Sequence, residues 1–278
     1  MLLYLTADSI GGPGGGSTVT YHESDALKAL GETKVIGRRE LEHAASYYPD
    51  PWGWDRAAYY QFGNNVKLAH VYAGTFGESV NKLKAGGAKV CYTIAAHDRE
   101  ISRREHERLG LPFPYTHLTD EGLWQRYIDG YRRADVIVCP STVAADTVRR
   151  YGPDFESKRI EVIPHGCVLP DRVAPLPERF TVGYLGAAGP DKGLVFLLRA
   201  WAKLGWADAT LVLAGRDSRS DFVKWMIEQA GARNVELAGW QENVSDFYNR
   251  CSLYAQPSAT EGFGIEVLEA MAHGRPVV

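Results

Sequence analysis

FTVGYLGAAGPDKGLVFLLRAWAKLGWADATLVLAG, residues 180–215, contains the pattern that decides the fold. Its first six residues are an apolar run, and a turn rich in small residues follows them. A helical pattern then covers residues 193–204, and a second apolar run, ATLVLAG, closes the stretch. Two strands joined by a helix-length segment are typical of a parallel sheet. The stretch therefore predicts a βα unit.

The same alternation recurs along the chain. The runs expected to form strands are LLYLT, AHVY, KVCYTI, DVIVC and RIEVI, followed by FTVGYL, ATLVLAG, NVELAG and LYAQP. Helices are expected near residues 18–30, 119–133, 141–151, 193–204, 220–230 and 265–273. A proline-rich stretch at 164–177 interrupts this rhythm and predicts a domain boundary near residue 170. The predicted fold class is α/β, with parallel-sheet domains at 1–170 and 171–278.

Composition narrows the function classes. The chain has 278 residues, of which 45% are hydrophobic and 23% charged, as in an average globular protein. The formal net charge of −3 offers no basic surface for nucleic acid, so no nucleic-acid partner is expected. The four cysteines are too widely spaced for a zinc knuckle or a redox dithiol. Three of them lie in or beside apolar runs, and we interpret those three as reduced core thiols, which favours a cytoplasmic protein. The N-terminus lacks the basic start of a signal peptide, and peripheral membrane contact is left open.

The strongest chemical signal is TEGFGIEVLEAMAHGRPVV at residues 260–278. Glu261 precedes a turn in which Gly262 and Gly264 let the backbone approach a ligand, and a helix follows. The N–H groups and the positive dipole end of that helix suit a phosphate. Glu269, further along the helix, suits the vicinal hydroxyls of a ribose. The alternative is an ordinary capped helix with two solvated glutamates.

A second turn of small residues, GAAGPDKG at 186–193, also joins a predicted strand to a helix. Lys192 in this turn can neutralise a diphosphate, although an exposed lysine is the simpler interpretation. Loops that follow different strands of a parallel sheet converge at its carboxyl edge. Both turns can therefore face one ligand.

The N-terminal loop GGPGGGS, residues 11–17, follows the first predicted strand. Gly15 and Gly16 are expected to let a phosphate or an acceptor sugar approach the backbone, and a flexible linker is the alternative. A nicotinamide cofactor is disfavoured, since the third glycine of its fingerprint is missing and Arg38 stands near the place of the ribose-binding acid. His97 follows another predicted strand, where a polar side chain can meet substrate.

Other motifs are missing from the sequence. It contains no Asp-x-Asp, no metal-ligand spacing, no Gly-x-Ser-x-Gly elbow and no Walker lysine, so no metal and no cofactor are expected. The aromatic segment 47–62 breaks the βα rhythm and is expected to be an insertion. Its side chains Trp52, Trp54, Tyr59 and Tyr60 are candidates for a sugar-stacking platform or for a cover over the first core.

The chain resembles the retaining glycosyltransferases of the GT-B fold with a Glu-x7-Glu motif. The resemblance rests on the segments GGPGGGS, RADVIVCPS, IEVIPHG, YLGAAGPDKG, LVLAG and PSATEGFGIEVLEAMAHGRPVV, which occur in the family's order. It implies two Rossmann-like domains facing a cleft, the second incomplete. It also implies a metal-independent transfer, with retention, from a nucleotide sugar to a carbohydrate, lipid-linked or small-molecule acceptor.

The resemblance also implies residue roles. Lys192 and the amides of Phe263 and Gly264 would hold the diphosphate, and Glu269 the ribose. The transferred sugar would meet Glu261 and His97, while Gly15 and Gly16 would approach phosphates or acceptor. Those implied to take part in catalysis are His97, Lys192 and Glu261.

Two departures from the family bear on activity. Ala187 stands where the family usually has an arginine, so Arg216 or Arg275 would have to replace that cation. The sequence also stops as residues 276–278 begin an expected strand, and we expect a longer polypeptide of which this chain transfers sugar poorly. A silent nucleotide-sugar-binding module is the second hypothesis. A sugar-nucleotide epimerase or phosphorylase of the same fold is the third.

Overall fold

The computed structural model describes residues 1–6, 15–37, 41, 53–72, 76–94, 99–110 and 121–278. Two compact units divide the chain. Unit 1 comprises Met1–His97 and Tyr115–His165, and unit 2 comprises Asp98–Pro114 and Gly166–Val278. The helix at Arg99–Leu109, which a boundary near residue 170 would place in the first domain, therefore falls in the second unit.

Unit 1 is built on a parallel sheet of six described strands. These are β1 (Leu2–Thr6), β2 (Thr33–Ile36), β3 (Leu68–Tyr72), β4 (Lys89–Thr93), β5 (Val136–Cys139) and β6 (Ile160–Val162). Their order is β2-β1-β3-β4-β5-β6. The helices are α1 (Gly15–Leu30), α2 (Gly53–Tyr59), α3 (Gly77–Ala85), α5 (Glu121–Arg133) and α6 (Thr142–Arg149), while α4 (Arg99–Leu109) belongs to unit 2. A 3-10 turn covers Pro153–Phe155.

Unit 2 contains a smaller parallel sheet. Its strands are β7 (Thr181–Leu185), β8 (Thr210–Ala214), β9 (Val235–Gly239) and β10 (Leu253–Tyr254), in the order β10-β7-β8-β9. Its further helices are α7 (Leu194–Leu204), α8 (Asp221–Ala230), α9 (Val244–Asn249) and α10 (Ile265–Ala272), and a 3-10 turn covers Pro190–Lys192. Val277 forms an isolated parallel bridge to Tyr254, at the place where the sequence predicts a further strand to begin.

The carboxyl ends of β7 and β8 are held in direct backbone contact. Gly215 has a φ of +122°, and a Cβ there would lie 2.2 Å from the carbonyl oxygen of Gly186. The amide of Gly186 in turn donates to the carbonyl of Ala214. A side chain at position 215 would push the two turns apart, so this glycine sets where the loops of the candidate site begin.

The aromatic segment of unit 1 is only partly described. Phe62 is buried in the core, whereas Tyr60 is 73% exposed. Tyr59 and Tyr60 line a groove of about 550 Å³ between α2 and α3. Trp52 and the side chain of Trp54 lie outside the described residues. Among those that the structure describes, no helix is long and apolar enough to cross a membrane.

Candidate active site

The first wall of the candidate site is the turn between β7 and α7. After the 3-10 turn, Gly193 takes a left-handed conformation with a φ of +68°, and α7 begins at the next residue. A Cβ on Gly193 would lie 1.9 Å from the carbonyl oxygen of Pro257. The amide of Ala259 donates to the carbonyl of Asp191 at 2.8 Å. These contacts fasten the Lys192 turn to the loop that carries Glu261.

Lys192 and Glu261 form an ion pair across these two loops. Lys192 Nζ lies 2.7 Å from Glu261 Oε1, and the side chains are 21% and 23% exposed. Burial lowers the pKa of Lys192, but the charge and hydrogen bond of Glu261, with smaller contributions from Glu266 and Asp191, leave it above the ordinary lysine value. The lysine is therefore a protonated cation at neutral pH.

Two further side chains hold the carboxylate of Glu261. Gln256 Nε2 and Ser258 Oγ each donate to Glu261 Oε1 at 2.9 Å. Gln256 and Ser258 are themselves 3.0 Å apart, and the hydroxyl of Tyr254 lies 2.6 Å from Gln256 Oε1. None of these three residues is predicted from the sequence, although they lie in the same YAQPSATEG segment as Glu261. Together they fix the carboxylate before any ligand arrives.

The start of α10 forms the second wall. Gly264 is the N-cap in the left-handed region, with a φ of +81°, and the helix start has no side-chain cap. Its N-terminal end therefore presents backbone N–H groups and a positive dipole. Gly262 and Phe263 form the turn immediately before this cap. A helix start of this kind can hold an anion, which is the role that the sequence analysis expects for it.

Two glutamates of α10 lie at this end of unit 2. Burial raises the pKa of Glu266 and the nearby Glu261 raises it further, while a hydrogen bond from the backbone N–H of Glu266 itself and the charge of Lys192 oppose the rise. Burial also raises the pKa of Glu269, which a hydrogen bond from Tyr248 partly offsets. That bond runs from the Tyr248 hydroxyl to Glu269 Oε2 at 2.9 Å. Tyr248, which reaches Glu269 from α9, carries no signal in the sequence that would mark it as a site residue.

The remaining predicted residues are placed as follows. Gly15 and Gly16 begin α1 in unit 1, and His97 lies outside the described residues. Arg275 is buried and donates through Nη2 to the carbonyl of Ala174 at 2.8 Å, so it is committed elsewhere. Arg216, exposed and directly after Gly215, is the other candidate to replace the cation absent at position 187.

The charge of this region is strongly acidic. Lys192 is surrounded by Glu261, Glu266 and Asp191, with Glu269 on the same helix as Glu266. Across the described ranges, no group of three His, Cys, Asp or Glu residues is placed to hold a metal ion. The arrangement can instead offer one cation, a helix start and carboxylate acceptors to a ligand that carries both anionic and hydroxyl groups.

Residues 179–278 match the family model for glycosyl transferases group 1. The matched range contains Lys192, Glu261 and Glu269, and thus both walls of the candidate site. It begins just before β7 and covers the whole second sheet.

Curated relatives match parts of the chain. One is the O-antigen chain mannosyltransferase B of Escherichia coli, which is 32% identical over 102 residues. Another is a D-inositol 3-phosphate glycosyltransferase of Salinispora tropica, which is 31% identical over 168 residues. These matches cover 34% and 49% of this chain. They span only 27% and 34% of the relatives' own lengths.

A solved structure matches over the full chain. The Anabaena protein Alr3699/HepE, in complex with UDP and glucose, superposes with a TM-score of 0.70 at 18% identity. The match covers 100% of this chain and 80% of that one. At this identity the likeness shows the fold, which is the predicted GT-B fold, with a second sheet smaller than the first.

Proposed function

We propose that this chain takes part in glycosyl transfer, moving a sugar from a nucleoside-diphosphate sugar to an acceptor hydroxyl with retention of configuration and without a metal. The observation that carries the proposal is the half-buried Lys192–Glu261 pair, fixed beside an uncapped helix start. The match of residues 179–278 to the glycosyl transferase model supports it. So do the relatives, whose names describe glycosyl and mannosyl transfer.

Donor binding exchanges the partner of Lys192. The lysine leaves Glu261 for the diphosphate, which also receives N–H groups from the Phe263–Gly264 turn. A phosphate oxygen is a stronger competitor than one carboxylate because it carries more charge and meets several donors at once. Glu261 is then released to accept hydroxyl groups of the transferred sugar, while Gln256 and Ser258 keep it in place.

The chemistry follows from where charge develops. The acceptor oxygen attacks the anomeric carbon from the side on which the phosphate leaves, the bond from that carbon to the phosphate oxygen breaks, and the acceptor proton passes to a diphosphate oxygen. The leaving diphosphate gains negative charge, which Lys192 and the start of α10 stabilise. Glu261 faces the oxocarbenium-like centre. His97, Gly15 and Gly16 remain proposed contacts for the sugar and the acceptor.

One experiment tests this function. The chain is incubated with UDP-, GDP- and ADP-sugars and with carbohydrate, lipid-linked and small-molecule hydroxyl acceptors. Products are then followed by mass spectrometry, and NMR reports the anomeric configuration. We expect a product of retained configuration with sugars of one nucleotide class. Nucleotides of the same class should raise the thermal unfolding temperature of the chain. An inverted product would contradict retention, and the absence of both product and stabilisation would contradict the function.

A silent nucleotide-sugar-binding module is a second candidate function. It is favoured by Ala187, which contributes no cation, and by the acidic surroundings of Lys192. The same experiment separates the two functions. Stabilisation by a nucleotide sugar with no transfer to any acceptor would favour the silent module.

A further inference from the structure

Tyr248 connects helix α9 to the two glutamates of α10. Its side chain is fully buried, and its hydroxyl lies 2.9 Å from Glu269 Oε2 and 3.0 Å from the carbonyl oxygen of Glu266. The ring of Tyr248 packs against that of His273, with 5.0 Å between centroids. A phenol buried in this way sets the position of whatever accepts its hydrogen bond.

The backbone carbonyl of Glu269 is also held by a side-chain contact, which involves His273 and α9. His273 is only 1% exposed, and its Nδ1 lies 2.7 Å from the carbonyl oxygen of Glu269. Its Nε2 lies 2.9 Å from the hydroxyl of Ser245, which belongs to α9. Side chains from α9 thus reach both the carboxylate and the main chain of Glu269, through Tyr248 directly and through His273.

The hydrogen bond from Tyr248 affects how the Glu269 carboxylate can bind two vicinal hydroxyls. Each carboxylate oxygen accepts from two directions, and bidentate recognition needs both oxygens in the plane of the two hydroxyls. The Tyr248 hydroxyl occupies one direction of Oε2 and fixes the rotation of the carboxylate. The remaining acceptor positions are then held ready for the ligand, which spares the entropy of ordering a free glutamate on binding.

We propose that Tyr248 is a positioning residue that orients the Glu269 carboxylate toward the vicinal hydroxyls of the donor ribose. The inference rests on the proposed function and on the ribose role that the family resemblance implies for Glu269. It adds that discrimination between ribose and deoxyribose depends on a side chain that does not itself touch the ligand.

The test compares nucleotide pairs that differ by one hydroxyl. Dissociation constants are measured by calorimetry for UDP and 2′-deoxy-UDP, or for the guanosine or adenosine pair if that base binds the wild type. The variants are Tyr248→Phe and Glu269→Gln. Tyr131→Phe is the matched control, because it also removes a hydroxyl from a buried tyrosine, within unit 1.

We expect the wild type and Tyr131→Phe to prefer the ribonucleotide by about tenfold, a preference of the size of one hydrogen bond to a charged group. In Tyr248→Phe and Glu269→Gln this preference should fall to about twofold or less. Loss in Glu269→Gln with full preference in Tyr248→Phe would overturn the positioning role alone. Full preference in Glu269→Gln would instead contradict the ribose role of Glu269 and the positioning role with it, whereas the proposed function is tested separately by the transfer assay.

A second readout separates positioning from packing. The Tyr248 hydrogen bond lowers the pKa of Glu269 against burial and Glu266, which raise it. Two other titratable groups lie near Glu269. The charge of Glu269 contributes to the raised pKa of the Cys167 thiol, and His273 contacts the backbone carbonyl of Glu269. Tyr248→Phe should therefore move the acid limb of ribonucleotide binding to higher pH. An unmoved limb in a folded Tyr248→Phe variant would overturn the proposal.

Discussion

Glu261 shows which features of the candidate site can be predicted from the sequence and which require the structure. The sequence predicts Lys192, Glu261 and Glu269 as ligand-binding residues from turn chemistry and from the family resemblance. It cannot predict the 2.7 Å ion pair, since the two residues are distant in the chain and meet only through loop packing. Gln256, Ser258 and Tyr248 are not predicted either. A polar side chain in a loop or a short helix carries no periodic signal.

The ion pair predicts that Glu261→Gln strengthens diphosphate binding but lowers the rate of transfer. The variant removes the carboxylate that competes with the diphosphate for Lys192, so binding of a nucleoside diphosphate should tighten by about two- to tenfold. Transfer should fall, since the sugar loses its charged acceptor. Calorimetry and a transfer assay measure the two effects. Weaker binding together with unchanged turnover would remove Glu261 from the site.

At the scale of elements, the βα rhythm was sufficient to predict most of the fold. The helices expected near 141–151, 193–204, 220–230 and 265–273 are confirmed as α6, α7, α8 and α10, with ends within one or two residues. Helices α2, α3, α4 and α9 are not among the predicted ones. α4 has the charged sequence REISRREHERL, whose apolar residues are too few to give a helical stripe. Its packing against the Pro190–Lys192 turn is a tertiary contact that no local pattern encodes.

The two ends of α7 provide a matched pair of glycines. Gly193 and Gly205 both adopt left-handed conformations, with φ of +68° and +60°. A Cβ at Gly205 would meet no atom within 4 Å, whereas one at Gly193 would strike the backbone of Pro257. Gly205→Ala should lower the free energy of unfolding by about 1–2 kcal/mol, which is the cost of a left-handed backbone conformation for a residue with a Cβ. Gly193→Ala should cost more than about 3 kcal/mol and weaken nucleotide binding as well.

Denaturant unfolding of both variants checks this prediction. Equal losses of unfolding free energy would show that the Gly193–Pro257 approach relaxes without cost. The comparison is sensitive because each substitution adds one methyl group at a cap of the same helix.

The carboxylates of α10 predict a pH dependence. Burial and Glu261 raise the pKa of Glu266 above its ordinary value. The folded chain therefore binds more protons than the unfolded chain just above the ordinary glutamate pKa, and stability falls as pH rises through that window. Glu266→Gln should remove this loss and raise the free energy of unfolding at neutral pH. Denaturant unfolding as a function of pH measures it, and an unchanged profile would contradict the assignment.

At the scale of the whole molecule, the division into two α/β units on parallel sheets was predictable from composition and periodicity. The GT-B fold came from the order of the family motifs. The sequence could not predict that residues 98–114 join unit 2, because contacts such as Arg108 over the Phe196 ring, at 4.7 Å, join segments far apart in the chain.

Metal independence is a prediction about the whole protein. A diphosphate held by Lys192 and a helix start needs no divalent ion to offset its charge. Transfer activity should therefore persist after exhaustive chelation, to within about twofold. Loss on chelation with recovery on adding magnesium or manganese would contradict this prediction, and calcium added alone serves as the control for nonspecific ion effects.

The central claim is that the Lys192 turn and the start of α10 bind the diphosphate of a nucleotide sugar. Calorimetric titration of Lys192→Ala with a nucleoside diphosphate and with the bare nucleoside tests it most directly, with Lys203→Ala, an exposed lysine on α7, as the control. We expect Lys192→Ala to weaken diphosphate binding by about 10- to 100-fold and nucleoside binding by less than about twofold, with Lys203→Ala unchanged. Equal losses for both ligands, or no loss for either, would contradict the claim.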